Sequence, residues 1–208
     1  NDFVKLIKIV ANKFARFYIF VIRGTPMMVQ SLIFYYAIFN LFKRTGMSVT
    51  EINRVWSLFI SGLVTVSLNS TAYLAEVLRG GILAVDAGQM EAARSLGMTH
   101  WQAMRRVVFP QAIKNSLPAI GNEFIINIKD SSVLCVLGVS DLMFMTRSVA
   151  GIYYKGTECY LIAATVYLFL TYLSSLLLKA ITGRMTAPDN TKRRQGNQTV
   201  DLGLPSSN

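Results

Sequence analysis

Apolar residues along this chain gather into four long stretches separated by polar segments: Thr25 to Phe42, Val55 to Leu78, Leu117 to Met145, and Cys159 to Ile181. A helix needs about 20 apolar residues to cross a bilayer, so each stretch is read as a membrane span. Inside lipid, every backbone N–H and C=O must be satisfied within the segment, which favours helices. The pattern therefore predicts an all-α polytopic transmembrane bundle over residues 1–182. Ahead of the first stretch, Phe3, Leu6, Ile7, Val10, Phe14, Phe17 and Tyr18 recur at helical spacing among basic residues. This segment lacks the continuous apolar centre and small-residue cleavage site of a signal peptide. It is predicted to be an amphipathic helix lying in the membrane interface. Residues 183–208 are polar, contain Pro188 and Pro205, and show no apolar period, so they read as a flexible cytoplasmic tail.

Composition agrees with a membrane protein: 52% of residues are hydrophobic and mean hydropathy is +0.41, above the usual apolar share of a soluble domain. The formal net charge of +10 would suggest nucleic acid in a soluble protein. Here its placement explains it. Basic residues cluster at Lys5, Lys8, Lys13, Arg16 and Arg23, at Arg94, Arg105, Arg106 and Lys114, and at Lys179, Arg184, Lys192, Arg193 and Arg194. With the N-terminus inside, four alternating spans put all three clusters on the cytoplasmic side, as the positive-inside rule requires. The segments 43–54 and 146–158 then lie outside, and Lys43, Arg44 and Arg54 dissent without overturning the assignment. The basic regions offer no base-stacking platform for nucleic acid. Cys135 and Cys159 are too few for a disulfide framework, lack metal-ligand spacing, and read as apolar fillers.

The polar interval between the second and third stretches reads EAARSLGMTHWQAMRRVVFP from Glu91 to Pro110. Asp86 with Gln89, and Thr99 with Gln102, have the spacing of helix-opening capping boxes. Gly97 suits a left-handed helix end and Pro110 a stop, so residues 86–110 are expected to form two short helices with a break. The first would carry Met90, Ala93 and Leu96 on one side, with Ala92 beside them. His100, the sole histidine, opens the second helix and reads as a surface or packing residue.

Polar groups within the spans are the second unusual feature. Asn69, Tyr73 and Glu76 share a face of the second stretch, with Arg79 three residues beyond Glu76; Glu123, Asn127 and Asp130 share a face of the third, beside Lys129 and Ser131. A charge at the bilayer centre costs roughly 2.5–3.5 kcal/mol, so these faces should turn toward the protein interior. Glu123, Asn127, Asn69 and Thr71 are candidates for the lining of a polar pathway. The structural alternative makes Glu76 with Arg79 an ion pair near the cytoplasmic end, and has Lys129 and Asp130 paired with neighbours or set at a helix break. Pro118 and Gly121 open the third stretch and Gly138 interrupts it, as in broken helices that line transporter cavities.

The Glu-Ala-Ala tripeptide at Glu91, Ala92 and Ala93, followed at fixed spacing by Gly97, Val107, Phe109 and Pro110, resembles the signature of ABC importer membrane subunits. Further blocks are IRGTPMMVQ from Ile22, NSTAYLAEVLRGGI from Asn69, DAGQMEAARSLG from Asp86, and PQAIKNSLPAIGNEFIINIKDSSVL from Pro110. Together they resemble the polar amino acid group of type I ABC importer permeases up to about Thr182. Val107 and Phe109 stand where the family commonly has Ile and Leu. Permeases of this group usually begin with a further span ahead of the RGTP block, so the chain reads as lacking the first span of the family. Its tail also departs from the family's short charged end.

The resemblance implies a type I ABC importer permease fold in the bacterial cytoplasmic membrane. It implies a second permease subunit, as homodimer or heterodimer, a dimer of cytoplasmic ATPase subunits, and an extracytoplasmic amino acid binding protein. The ATPase-coupling role would fall on Glu91, Ala92, Ala93 and Gly97. The chain has no Gly-x-x-x-x-Gly-Lys-Ser/Thr loop to cradle phosphates. No cofactor of its own is expected, and ATP would be bound by the partner subunit. An intramembrane enzyme would need a nucleophile with a base, or metal ligands, within the spans; no such constellation is legible. A structural or receptor-like membrane subunit without transport of its own is the remaining alternative.

Overall fold

The structure, a computed structural model, describes residues 2–185 and is helical throughout, with no strand among them. The elements are α1 (Asp2–Gly24), α2 (Met27–Arg44), α3 (Val49–Val55), α4 (Leu58–Leu83), α5 (Ala87–Ser95), α6 (His100–Ala103), α7 (Phe109–Asp130), α8 (Leu142–Tyr153) and α9 (Gly156–Met185). A π-helical turn at Met104–Val108 joins α6 to α7, and a 3₁₀ segment at Ser131–Val136 follows α7. Side chains open several of these helices. Ser48 and Glu51 form a reciprocal capping box at α3, Ser57 accepts from the Ile60 N–H at α4, and Asp141 accepts from the Phe144 N–H at α8.

The helices α4 and α9 are each long and apolar enough to cross a membrane. The pair α1 and α2 meets the same test only jointly, as a broken span or re-entrant loop bent by 113°. The third expected span, Leu117 to Met145, is not one helix. Regular helix stops at Asp130, the chain tightens through Ser131–Val136, and Gly138 turns at φ +93°, in a conformation L side chains disfavour. Asp141 then caps a new helix. Apolar content alone ran across this break, because Gly138 and the Ser140–Asp141 pair interrupt a stretch that is otherwise hydrophobic. The segment 146–158, expected as an external loop, is largely α8. The tail expected from residue 183 begins inside α9, and residues 186–208 lie outside the described residues.

Helix α4 is the hub, packing against α7, α2 and α1, while α9 packs against α7 and α8. Small residues let these helices approach, as is usual where lipid supplies no hydrophobic drive for association. A methyl group at Gly81 would run into Ser116 Oγ and come within 2.7 Å of the Ala112 carbonyl. Ser116 Oγ donates to the Val77 carbonyl at 3.3 Å across the same seam. Ser31, Ser61 and Thr65 are fully buried. Thr65 donates to the Ser61 carbonyl one turn back, so its hydroxyl is satisfied within α4.

Candidate functional site

The α4 face turned toward α1 and α2 carries a cleft of about 440 Å³. It opens where the chain bends between α1 and α2, and its walls come from Arg23 to Met27, from Asn69 and Tyr73 on α4, and from Glu123, Ile126 and Asp130 on α7. Asn69 sits near the middle of α4, which places the cleft well inside that span. Pro26 starts α2 without a side-chain cap, so the first N–H groups of α2 stay free of side-chain partners beside the cleft. Helix N-termini of this kind favour negative charge.

Gln30 fixes the bend. Its side chain is 4% exposed. The amide nitrogen donates to the carbonyls of Ile22 (2.7 Å) and Thr25 (2.9 Å) and to Thr25 Oγ1 (2.8 Å), satisfying groups that the broken helix leaves open. Its oxygen accepts from Asn69 Nδ2 at 3.2 Å, which ties the bend to α4. One turn beyond Asn69 along α4, Arg23 lies over the Tyr73 ring at 5.2 Å and reaches Glu76 at 3.7 Å. Glu76 also accepts from Arg79 Nε through both carboxylate oxygens and from Arg79 Nη2 at 2.7 Å, so the expected ion pair forms and Arg23 joins it. Among the described residues no basic side chain lies within ion-pair distance of Glu123 or Asp130.

Of the four candidate pathway residues, Glu123 and Asn69 line the cleft. Asn127 instead donates to Ser70 Oγ at 2.8 Å, joining α7 to α4. Thr71 is exposed and donates to the Ser67 carbonyl at 2.7 Å within its own helix. Sequence reasoning missed Arg23 and Gln30 as parts of this site. A lone amide in the apolar run after the RGTP block was the available signal for Gln30.

The second candidate site is the hairpin between α4 and α7. Asp86 caps α5 through the Gly88 N–H at 2.7 Å, but the expected capping box with Gln89 does not form. Gln89 accepts from Gln111 Nε2 at 3.1 Å and so fastens α5 to α7. The box at Thr99 and Gln102 is complete. Gly97 takes φ +82°. Its N–H bonds to the Arg94 carbonyl and that of Met98 to the Ala93 carbonyl, a paired C-terminal motif that requires a left-handed residue. Pro110 is not a stop. The helical path from His100 runs through the π turn into α7, and the Phe109 N–H reaches back to Met104 in the wider π pattern just before the proline, which has no N–H to give.

Ala93 is buried and Met90 half-buried, whereas Glu91 and Ala92 are exposed. Leu96, expected on the Ala93 side, is 82% exposed because it lies at the C-cap, past the regular helix. With Trp101 at 71% exposure, it leaves two large apolar groups on the outside of a polar hairpin.

The sequence pattern of the family described as "Binding-protein-dependent transport system inner membrane component" matches residues 6–187. The chain belongs to this family. It is similar to the glutamine transport system permease protein GlnP of Escherichia coli (strain K12), at 34% identity over 85% of this chain and 76% of that protein. It is likewise similar to the probable amino-acid permease protein YxeN of Bacillus subtilis (strain 168), at 37% identity over 88% of this chain and 78% of that one. A crystal structure titled as an amino acid ABC transporter with histidines superposes with a TM-score of 0.72 at 45% identity, covering 87% of this chain and 78% of that chain. In this transport-system membrane component, two helical segments join cleft and hairpin: α4 runs from Asn69 at the cleft to Leu83 at the hairpin, and α7 runs back from Pro110 to Glu123.

Proposed function

We propose that this chain is the permease subunit of an ATP-driven importer of the bacterial cytoplasmic membrane, and that amino acids pass through the α1–α2–α4–α7 cleft. The observation that carries this reading is a mid-helix cleft with separated charges. Glu123 lines the cleft and would meet an ammonium group, while the start of α2, which has no side-chain cap, would meet a carboxylate with Arg23 nearby. Transporters commonly use the positive ends of broken helices for substrate carboxylates in this way. The relatives named for glutamine and amino acid transport support the substrate class.

ATP would be hydrolysed by a separate ATPase dimer docked at the hairpin. Glu91, Ala92, Ala93 and Gly97 lie in the coupling segment, and Leu96 and Trp101 add exposed apolar surface to it. An extracytoplasmic binding protein and a second permease subunit, identical or different, complete the assembly. Uptake of a labelled amino acid panel into proteoliposomes holding permease, ATPase and binding protein tests this reading. ATP-dependent accumulation is expected. A complex that assembles and moves no amino acid would favour a structural or receptor-like subunit instead.

A further inference from the structure

Helix α1 has two unlike ends. From Lys5 to Phe17 every side chain is exposed, whereas Tyr18 donates to the Leu68 carbonyl at 2.5 Å and Ile22 is buried. At 3.6 residues per turn, Lys5, Lys8 and Arg16 project from one side of the outer end, Phe3, Leu6, Val10, Phe14 and Phe17 from another, and Lys13 from the border between them. The only acidic group within ion-pair distance of these four cations, among the described residues, is Asp2 beside Lys5 at 3.7 Å. Arg16 follows Lys5 by eleven residues and Arg23 follows Arg16 by seven, so the three share one line along the helix. The 113° bend turns α1 away from the direction of α2, so when α2 crosses the bilayer α1 runs at a shallow angle to its plane.

We infer that α1 docks on anionic phospholipid headgroups at the cytoplasmic surface and that this docking holds Arg23 against Glu76 beside the cleft. A basic side opposite an apolar side, on a helix turned toward the membrane plane, fits an anionic lipid surface through both charge and hydrocarbon burial. A protein partner would satisfy the apolar side but leave three or four cations without counter-charge. The connection to the site is short: Tyr18 and Ile22 anchor the inner end on α4, Arg23 pairs with Glu76, and the next residues, Gly24 to Met27, form the cleft wall. Control of the cleft by α1 rests on the transport reading above, whereas lipid capture by α1 does not.

The test uses the full permease and ATPase complex. In native mass spectrometry, the wild-type complex is expected to retain phosphatidylglycerol in preference to phosphatidylcholine. Lys5→Gln/Lys8→Gln/Lys13→Gln/Arg16→Gln should lose most of that preference, while Lys179→Gln, exposed on α9, keeps it. In proteoliposomes, amino acid uptake is expected to run about threefold faster in phosphatidylcholine with one-third phosphatidylglycerol than in phosphatidylcholine alone, an advantage erased in 1 M salt, where screening is within about 3 Å. The fourfold variant should show no such advantage. Equal retention of both lipids by the wild type, or an unchanged preference in the fourfold variant, overturns the docking. Lipid preference without any lipid effect on uptake overturns the control of the cleft. Absence of uptake in every lipid, with the preference intact, strikes the transport reading and the control together and leaves lipid capture supported. Should Phe14→Ser/Phe17→Ser separate two permease subunits without loss of lipid, the apolar side belongs to a partner subunit and the docking is overturned.

Discussion

Helix α4 meets its neighbours in two opposite ways. Toward α7 near its C-terminal end, the contact is made of Gly81, Ala112 and Ser116, with backbones so close that no added methyl group fits. Toward α1 and α2 near its middle, the contact is made of long polar side chains, Gln30, Asn69, Arg23 and Glu76, which bridge the helices and leave a cleft of about 440 Å³. Small residues weld two helices into one body, and reaching polar residues hold others at a distance that a ligand can enter. The weld should therefore fail when volume is added, and the bridge should fail when a polar group is removed.

The largest effect is expected at the weld. Gly81→Val places carbon against Ser116 Oγ and the Ala112 carbonyl, and overpacking of this kind costs about 3 kcal/mol. Thermal unfolding of the purified complex should fall accordingly. Adding Ser116→Gly should recover only part of the loss, since the Ala112 carbonyl at 2.7 Å cannot move aside as a side chain can. Full recovery would mean that the backbones are not in close contact. At the bridge, Gln30→Leu keeps the volume but strips the bonds to Ile22 and Thr25 and the acceptor for Asn69, so about 2 kcal/mol should be lost. An unchanged melting temperature would show that the bend is held by something other than Gln30.

How far the sequence disclosed these two contacts follows from the range of the forces involved. The apolar stretches gave α4 and α9, because burial in lipid acts on composition over 20 residues and needs no partner. Local capping chemistry gave Thr99 with Gln102 and the left-handed Gly97. It failed at Asp86, because Gln89 found a tertiary partner in Gln111, and at Pro110, because a π turn absorbed the missing N–H. Glu123 and Asn69 stood out as polar groups in apolar runs and both line the cleft. Thr71 is only two residues from Asn69, yet each step turns a helix by about 100°, so it faces away from that wall. Arg23 and Gln30 gained their place from a bend of 113°, which no periodicity encodes.

A smaller effect, and one confined to transport, is expected from Glu123→Gln. The substitution keeps shape and removes a negative charge that has no basic partner among the described residues, so assembly and melting temperature should hold. Uptake should drop about tenfold, equivalent to ~1.4 kcal/mol of lost interaction with a substrate ammonium group. Unchanged uptake would remove Glu123 from the pathway and leave the cleft as a packing defect. Glu76→Gln provides the contrast, since its carboxylate already serves Arg23 and Arg79 and its loss should be read first in stability.

The smallest effect on the permease itself separates both contacts from the hairpin. Gly97 holds φ +82° with nothing within 4 Å of where a side chain would begin, so Gly97→Ala costs only the backbone penalty, about 1 kcal/mol. Because the space is open, Gly97→Leu should cost the isolated permease no more than Gly97→Ala does. Any further loss seen only in the presence of the ATPase must then come from a surface that fills that space. Comparing the two variants by ATPase co-purification and by uptake per ATP hydrolysed therefore reads the partner directly. Equal behaviour of Ala and Leu in the complex would move the docking surface away from Gly97, toward exposed Leu96 and Trp101.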